Sequence, residues 1–393
     1  MNAASPTNQL LIDVTPLQGQ HYTVRAQLFA LLESDLQFSD IFIHQDSPMM
    51  VKMPRRNMTI ASAPIEAQDL IEFFMEIDPT GAWKEDIKDG AYDRAIMLEQ
   101  HRIRVHCITF EGRNRYGAII RRFPSEPKPL HELGLQPSAF EFPKLTRGLI
   151  LVIGDTGQGK SHTLASIIHE INKTRPGHIV TIEDPVEIIV PQINCLITHR
   201  EVGPNSDVKS FYVGARDALR ERPDVVVIGE IRDEDCAREA FTLSESGPLV
   251  ITTLHAKSIE LGLSKLHRFL GGTAANAQAM GKALKAVLCQ ALVPSVNGDR
   301  DYLATECLTN NPAFSKLIEE ANFNEVRTLI KKLSKEPDGQ NVHGCHTLNF
   351  DLERLHREKK ITAEDARRTS NDMYDDAFNK TMSVAVALEV YKK

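Results

Sequence analysis

The feature that most constrains the fold of this chain is the octapeptide GDTGQGKS at residues 154–161. It fits the phosphate-binding pattern G-x4-G-K-[ST], in which glycines let backbone N–H groups curl around phosphates. The apolar run GLILVIG leads into it, and KSHTLASIIHEINKT, with helical spacing, continues from it. The pattern predicts a buried strand, a phosphate-binding loop, and a helix whose positive N-terminal end faces the anion.

This loop predicts ATP and Mg²⁺ as cofactors. In such loops the lysine, here Lys160, reaches the β- and γ-phosphates, and the following hydroxyl, here Ser161, binds Mg²⁺. The predicted cofactor-binding residues of the loop and of the first helical turn are Gly154, Asp155, Thr156, Gly157, Gln158, Gly159, Lys160, Ser161 and His162.

Three further apolar runs follow the loop. They are HIVTIED (178–184), DVVVIGE (224–230) and PLVITTLH (248–255), each rich in β-branched residues and ending on polar ones. Strands that alternate with helices predict an open α/β sheet with functional groups at the carboxyl ends of its strands. From about Leu261 onward the chain is predicted to be mostly helical.

Polar side chains at these strand ends are the candidate catalytic groups. Glu230 ends a Walker B-like strand, which would place it near Mg²⁺, held through water, and near the attacking water. Glu183 and Glu187 belong to IEDPVE (182–187), where two carboxylates can polarise a water. His255 ends the next strand, and on physical grounds alone a γ-phosphate sensor and a structural histidine are equally compatible with that position.

The N-terminal part, residues ~10–125, predicts a separate α/β unit with helical spacing at 24–36 and 67–77 and with strands at 40–44, 102–110 and 116–123. The segment PSEPKPL then predicts a stiff extended linker, because three of its residues are proline. The predicted domains are an N-terminal domain at 1–123, a linker at 124–130, and an ATPase domain at 131–393 with a helical region from about 261.

Six arginines crowd the last two predicted strands of the N-terminal part, Arg104, Arg115 and Arg121 among them. One interpretation is a solvated basic face. The other is contact with a nucleotide held by a neighbouring subunit, because guanidinium groups stabilise the charge spread over a transferring phosphoryl group.

Composition excludes some classes of protein. A net charge of −7 and a pI near 6.1 argue against a general nucleic-acid binder, which usually carries a basic surface. No run approaches the ~18 apolar residues of a membrane-spanning helix, so no direct span is predicted. The six cysteines match no metal or disulfide framework and predict reduced thiols in the cytoplasm.

Four motifs in this order resemble the secretion-superfamily ATPases, which include the pilus retraction motor PilT and type IV secretion ATPases. GDTGQGKS resembles the Walker A motif of that family and IEDPVE its Asp box. Residues 211–233 resemble its Walker B region and ESGPLVITTLHA (245–256) its His box, while 39–53 resemble the opening of its N-terminal domain. Within the family, the subgroup resembled most is the DotB-like branch, which serves Dot/Icm-type secretion and related plasmid conjugation systems.

The resemblance implies a fold and an assembly. The fold is a PAS-like N-terminal domain, a RecA-like P-loop domain and a helical C-terminal tail, and the assembly is a homohexameric ring. The family works at the cytoplasmic face of an inner-membrane complex. One departure is visible at the His box, where this chain has Gly247-Pro248 in place of the usual Gly-His.

The resemblance also assigns roles. Lys160 matches the Walker A lysine, Glu187 the glutamate that positions water, Glu230 the Walker B glutamate and His255 the His-box histidine. The nearest matches to the arginines of the family's N-terminal domain are Arg104, Arg115 and Arg121.

The combined hypothesis is a cytoplasmic hexameric ATPase, recruited peripherally to the inner membrane, that powers type IV secretion or conjugative transfer. A pilus retraction motor of the same superfamily is the first alternative. A RecA-like DNA-handling motor is the second, and a scaffold gated by nucleotide binding without hydrolysis is the third.

Overall fold

The computed structural model describes residues 9–10, 23–34, 36, 38–53, 56–60, 64–203, 206–334, 344–372 and 375–391. The chain divides into two units. Unit 1 comprises the described residues up to Ser125 together with Gly298–Arg300, and unit 2 comprises Glu126–Asn297 and the described residues from Asp301 onward. The boundary after Ser125 falls inside the segment 124–130 that the sequence predicts as a linker.

The described part of unit 1 contains one seven-stranded sheet with the order β1-β4-β3-β2-β7-β6-β5. Its strands are β1 (Gln9–Leu10), β2 (Asp40–His44), β3 (Met50–Met53), β4 (Arg56–Ile60), β5 (Tyr92–Leu98), β6 (His101–Phe110) and β7 (Arg115–Arg122). Its helices are α1 (Val24–Glu33), α2 (Ala67–Ile77) and α3 (Trp83–Asp89). β1 pairs with β4 in parallel, and the other neighbours pair antiparallel.

Side chains along β6 alternate between buried and partly exposed positions, so one face of this sheet packs against the core. Ile103, Val105 and Cys107 of β6 are fully buried, and the residues between them are partly exposed. The predicted hairpin of β6 and β7 is confirmed, with Gly112 at φ +68° in the connecting loop. A positive φ is tolerated best by glycine, which lets the chain reverse within four residues of loop.

The described part of unit 2 contains one eight-stranded sheet with the order β10-β9-β11-β12-β8-β13-β14-β15. The six strands from β10 to β13 in this order are parallel, and β14 and β15 add antiparallel. The strands are β8 (Gly148–Ile153), β9 (Gly177–Glu183), β10 (Cys195–Glu201), β11 (Val225–Ile228), β12 (Leu249–Leu254), β13 (Leu284–Pro294), β14 (Asp301–Thr309) and β15 (Cys345–His346).

Helices cover both faces of this sheet. They are α4 (Lys160–Thr174), α5 (Phe211–Ala218), α6 (Glu234–Glu245), α7 (Ile259–Phe269), α8 (Ala274–Ala283), α9 (Pro312–Glu319), α10 (Phe323–Leu333), α11 (Leu348–Arg357), α12 (Ala363–Thr369) and α13 (Asp376–Tyr391). Short 3₁₀ helices lie at Leu130–Leu133, Pro137–Lys144 and Leu219–Glu221.

β8 lies in the middle of the core, and all six of its residues are buried. Leu151 and Ile153 pack in the apolar cluster that contains α6 and α7, whereas Ile150 and Val152 pack in the cluster that contains α4. Burial on both faces explains the uninterrupted apolar sequence, because neither set of alternating side chains faces water. The predicted α/β fold class is confirmed.

The prediction of a mostly helical chain from about Leu261 is wrong for residues 284–309, which form β13 and β14. The segment LKAVLCQALVP of β13 is rich in leucine and alanine, and these residues favour a helix in isolation. Pairing with β8 on one side and β14 on the other overrides that preference. The remaining elements after β14 are helical apart from the two residues of β15 in the described part.

The sequence patterns also fail to predict β10, the edge strand of this sheet. Burial alternates along this strand, since Cys195 and Ile197 are buried and Leu196 between them is exposed. Because Leu196 is apolar too, the sequence does not alternate between apolar and polar residues there. All six cysteines of the chain are free and buried, in agreement with the predicted reduced thiols. No helix in the described parts of the chain is long and apolar enough to cross a membrane.

Glu306 on β14 carries a buried carboxyl group. Glu306 accepts hydrogen bonds from the backbone N–H of Ile259 at 3.0 Å and from Asn371 Nδ2 at 3.5 Å. Burial and the nearby charge of Glu260 raise the pKa of Glu306 from 4.5 to about 7, against the opposing hydrogen bond from Ile259 and the charge of Arg327.

This shift predicts a pH dependence of stability. Between pH 4.5 and pH 7 the folded state binds the Glu306 proton more tightly than the unfolded state, so the free energy of unfolding should fall as pH rises through that window, by about 3 kcal/mol in total. Glu306→Gln should remove this pH dependence of the unfolding free energy. Glu364 is exposed, so Glu364→Gln should retain it. Urea unfolding at pH 5 and pH 8, followed by far-ultraviolet circular dichroism, measures the difference. If the unfolding free energy changes by the same amount between pH 5 and pH 8 in the wild type and in Glu306→Gln, the prediction is contradicted.

Candidate nucleotide site

The predicted phosphate-binding loop lies between β8 and α4. Gly154, at φ +157°, has no room for a side chain, because an added Cβ would lie 2.7 Å from the backbone oxygen of Gln290. Gly157 and Gly159 also have positive φ, at +78° and +79°. Gly159 is the N-cap of α4 and provides no side-chain cap, which leaves the first N–H groups of the helix available to an anion.

Lys160 begins α4 and turns back over the loop. Its Nζ donates to the backbone oxygens of Gly154 at 2.8 Å and of Asp155 at 2.9 Å. Burial lowers the pKa of Lys160, while the charges of Glu230, Asp155 and Glu187 act in the opposite direction. The ammonium group therefore sits where the loop and two of the predicted catalytic carboxylates act on it.

Ser161 and His162 complete the first turn of α4, and both are partly exposed. Burial, with a smaller contribution from the charge of Lys128, lowers the pKa of His162, which favours its neutral form. The oxygens of Ser161 and Glu230 are hard ligands of the kind that Mg²⁺ prefers, so the donors that the sequence singles out are chemically suited to this ion.

His255 lies between Lys160 and Glu230. Its Nδ1 lies 3.4 Å from Lys160 Nζ, and its Nε2 lies 2.9 Å from Glu230 Oε1. Nε2 donates to Glu230, and Nδ1 lies between Lys160 Nζ, which can only donate, and the backbone oxygen of Gly154 at 3.2 Å, which can only accept. The structure thus brings together three of the predicted site residues, which follow β8, β11 and β12 at one edge of the sheet.

Arg232 is a site residue that the sequence interpretation missed. Its Nε donates to Glu230 Oε2 at 3.1 Å, and its Nη1 donates to Asp184 Oδ2 at 2.8 Å. Its guanidinium carbon lies 5.1 Å from the ring centre of Phe211. Arg232 therefore ties the end of the Walker B strand to the Asp box. Its place two residues after Glu230, beside a predicted anionic strand end, is the signal that could have identified it.

The two predicted glutamates of the Asp box have different surroundings. The charge of Glu187 contributes to raising the pKa of Lys160. Glu183 ends β9, and its Oε1 lies 3.7 Å from Nδ1 of His199 on the neighbouring strand β10. Glu187 is therefore among the charges that act on the lysine of the phosphate-binding loop, and the choice between Glu187 and Glu183 remains a prediction.

Gln290 on β13 is a second residue that sequence reasoning missed. Its Nε2 donates to the backbone oxygen of Gln158 at 2.6 Å, and its Oε1 accepts from the hydroxyl of Thr163 at 2.9 Å. The side chain of Gln158 in turn accepts from the backbone N–H of Leu292 at 2.6 Å. No sequence signal identifies Gln290, because its contacts arise only when β13 pairs with β8.

The three predicted arginines lie in unit 1, and each pairs there with a carboxylate. Arg104 donates through Nε and Nη2 to both oxygens of Asp93, at 2.8 and 2.7 Å. Arg121 Nε lies 2.9 Å from Oδ1 of the buried Asp40. Arg115 lies 3.1 Å from Glu111 and 3.7 Å from Asp46. Their predicted role at a neighbour's nucleotide remains a prediction.

A family model described as type II/IV secretion system protein matches residues 99–383. The chain belongs to this family. It is 31% identical over 331 residues to the type IV pilus ATPase PilU of Pseudomonas aeruginosa, which spans 84% of each chain. The crystal structure of the pilus retraction motor PilT with bound ADP is similar at a TM-score of 0.77 and 29% identity, covering 90% of this chain and 98% of that one.

The X-ray structure of the ATPase DotB of Legionella pneumophila is similar at a TM-score of 0.75 and 22% identity, covering 92% of this chain and 98% of that one. At this identity the likeness shows the fold alone. The predicted superfamily is confirmed, and its relatives carry the names of ATPases. The DotB-like subgroup remains a prediction.

We expect Gln290→Leu to weaken ATP binding while leaving unit 2 folded. The substitution leaves the buried Thr163 hydroxyl and the Gln158 carbonyl without their partner, and each such loss costs about 1–3 kcal/mol. A dissociation constant raised about tenfold, measured by isothermal titration calorimetry, is the expected result. Gln278→Leu, on the exposed side of α8, is the matched control. An unchanged dissociation constant in Gln290→Leu would refute this role.

Proposed function

We propose that this protein hydrolyses ATP, with Mg²⁺, and works as a homohexameric ring motor for type IV secretion or conjugative transfer. The ring would be cytoplasmic and recruited peripherally to the cytoplasmic face of an inner-membrane complex. The observation that carries the chemical part is the contact series Lys160–His255–Glu230, which joins the phosphate-binding loop to the Walker B strand. Membership of the type II/IV secretion family supports the motor part.

In the proposed reaction, the chain's own groups bind and orient the reactants. Lys160 and the free N–H groups of α4 hold the β- and γ-phosphates. When bound, Mg²⁺ neutralises charge on the phosphate oxygens. Glu187 accepts a proton from the attacking water. Ser161 would hold Mg²⁺ directly and Glu230, oriented by His255 and Arg232, would hold it through a water molecule. His255 moves with Glu230 and thereby senses the state of the γ-phosphate.

A type IV pilus retraction motor is the second candidate for the machine. The 31% identity to PilU and the likeness to PilT favour it. Against it stands Gly247-Pro248, where PilT-like His boxes have Gly-His. Deleting the gene in its host separates the candidates, because loss of twitching motility with normal transfer supports retraction, and loss of secretion or conjugation with normal motility supports the first proposal. Complementation with Lys160→Ala should fail in either case.

The proposed roles in hydrolysis can be tested by single substitutions in the site. Glu187→Gln keeps shape and hydrogen bonding but removes the charge that accepts the proton, so kcat should fall at least ~100-fold with ATP binding retained. Glu183→Gln is the matched control and should remain active. Lys160→Ala should lose hydrolysis because the phosphates lose their main cation.

Steady-state phosphate release and the dissociation constant of ATP measure these effects. A normal Glu187→Gln together with a crippled Glu183→Gln would reverse the assignment within the Asp box. Wild-type turnover in folded Lys160→Ala would refute the phosphate-binding loop.

We propose that one or more of the three arginines acts on the nucleotide of a neighbouring subunit. A single arginine mutant (Arg104→Ala, Arg115→Ala or Arg121→Ala) and a Glu187→Gln mutant should each be inactive alone, because an arginine supplied in trans contributes about 10³–10⁵ in rate. Mixed rings should regain activity, since some interfaces combine an intact arginine with an intact Glu187. The control is Arg25→Ala on α1, which should stay active.

The measurement is steady-state ATP hydrolysis of mixed rings, with subunit exchange confirmed by fluorescence transfer. Full activity of all three single arginine mutants would leave the cluster as a solvated face. Inactive single mutants that show no recovery in confirmed mixed rings would point to a site built within one subunit.

A further inference from the structure

The edge strand β10 presents two polar side chains to the loop that carries the Asp box. Residues two apart in a strand share a face, so His199 and Glu201 project on the same side as the buried Cys195 and Ile197. β10 pairs in parallel with β9, which places His199 beside Thr181 and Glu201 beside Glu183. The loop 184–190 begins directly after Glu183 and contains Glu187.

His199 contacts the last residue of this loop and the strand that precedes the loop. Its Nε2 accepts a hydrogen bond from the backbone N–H of Val190 at 3.3 Å. Its Nδ1 lies 2.9 Å from the hydroxyl of Thr181 and 3.7 Å from Oε1 of Glu183. The His199 side chain is 15% exposed, so water competes little for these contacts.

The partners determine the tautomer of His199. A backbone N–H can only donate, so Nε2 must carry the lone pair and the neutral ring carries its proton on Nδ1. That proton points to the Thr181 hydroxyl, next to the Glu183 carboxylate. A side chain at this position therefore needs an acceptor toward Val190 and a donor toward Thr181, at a fixed separation.

Glu201 adds a third attachment inside the loop. Its Oε2 accepts from the backbone N–H of Val186 at 3.2 Å, and its own backbone N–H donates to Asp207 at 2.8 Å. The residue before Glu187 is thus held by Glu201, and the residue three positions after it is held by His199. Glu187 is the member of this loop whose charge acts on Lys160.

We propose that His199 is a positioning residue for ATP hydrolysis, which fixes the Asp-box loop from the edge strand so that Glu187 stays aligned with the phosphate-binding loop. The inference rests on the proposed hydrolytic role of Glu187. His199 touches neither substrate nor reacting atoms in this scheme. Its loss leaves Lys160 and the N-terminus of α4 in place, so it affects the chemical step and not nucleotide binding.

The experiment compares full-length variants at position 199. His199→Leu removes both polar contacts, and kcat should fall by about 10- to 100-fold, as expected for a displacement of roughly 1 Å in a reacting group. The dissociation constant of ATP should stay within about twofold of wild type, since the phosphate-binding contacts are untouched. His199→Gln carries an acceptor and a donor on one amide and should retain kcat within about threefold.

A matched control lies next to His199 on the same strand. Thr198 points to the other face and meets Nε2 of His178 at 3.0 Å, so Thr198→Val removes a hydrogen bond of the edge strand without touching the loop. It should have wild-type kcat. His199→Asn keeps a polar group on a shorter side chain and should lose kcat as His199→Leu does, which maintains the test if the leucine variant does not fold.

Three results would overturn the inference: wild-type kcat in folded His199→Leu or His199→Asn, equal loss in His199→Gln and His199→Leu at wild-type melting temperature, or a rise in the dissociation constant that accounts for the loss. A double mutant separates this inference from the proposed function. If Glu187→Gln keeps a measurable residual kcat and His199→Leu does not lower it further, both act through the same step. If Glu187→Gln is fully active, the proposed role of Glu187 fails first.

Discussion

The burial of β8 on both faces, between β12 and β13, is the constraint on which the rest of unit 2 depends. Each of its side chains is removed from water, so β8 has no solvent-facing side, as is usual for a strand whose neighbours run parallel to it. Parallel strands end at the same edge of a sheet. Glu183 is the last residue of β9 at this edge, and the loops that leave it carry Gly154, Glu230 and His255. The apolar core therefore gathers the polar groups of the site at one edge of the sheet.

A site assembled in this way must compensate its own charges. Burial disfavours the charged form of Lys160, and three carboxylates offset that effect. Glu230 meets His255 through one oxygen and Arg232 through the other, so neither oxygen is left without a partner. Such polar networks are costly when incomplete and hold a fixed geometry when complete, which is what a reaction governed by positioning requires.

In unit 1, the charges of the predicted site residues are compensated by ion pairs within the same unit. Its predicted arginines form ion pairs with carboxylates of the same unit, through Asp93, Asp40, Glu111 and Asp46. Arg104 and Arg115 pair with partly or fully exposed carboxylates, and ion pairs of this kind contribute little to stability, typically about 0–1 kcal/mol. Arg121 differs, because its partner Asp40 is buried and would lose its compensating charge if the arginine moved away.

The sequence by itself determined the elements whose signal is local. The loop at 154–161 needs glycines and a lysine at set spacing, β8 needs an unbroken apolar run, and α2 and α4 need only helical periodicity, so all of these are recognisable in a single segment. The family follows from the order of four such motifs.

Only the tertiary structure decided that 284–309 are strands, because pairing with β8 outweighs a modest helical preference. It alone also decided that Gln290 supports the phosphate-binding loop and that His199 meets Val190, since these partners are 132 residues apart in the first case and come from separate segments in the second. Hydrogen bonds between distant segments depend on the register of the sheet, which no local pattern encodes.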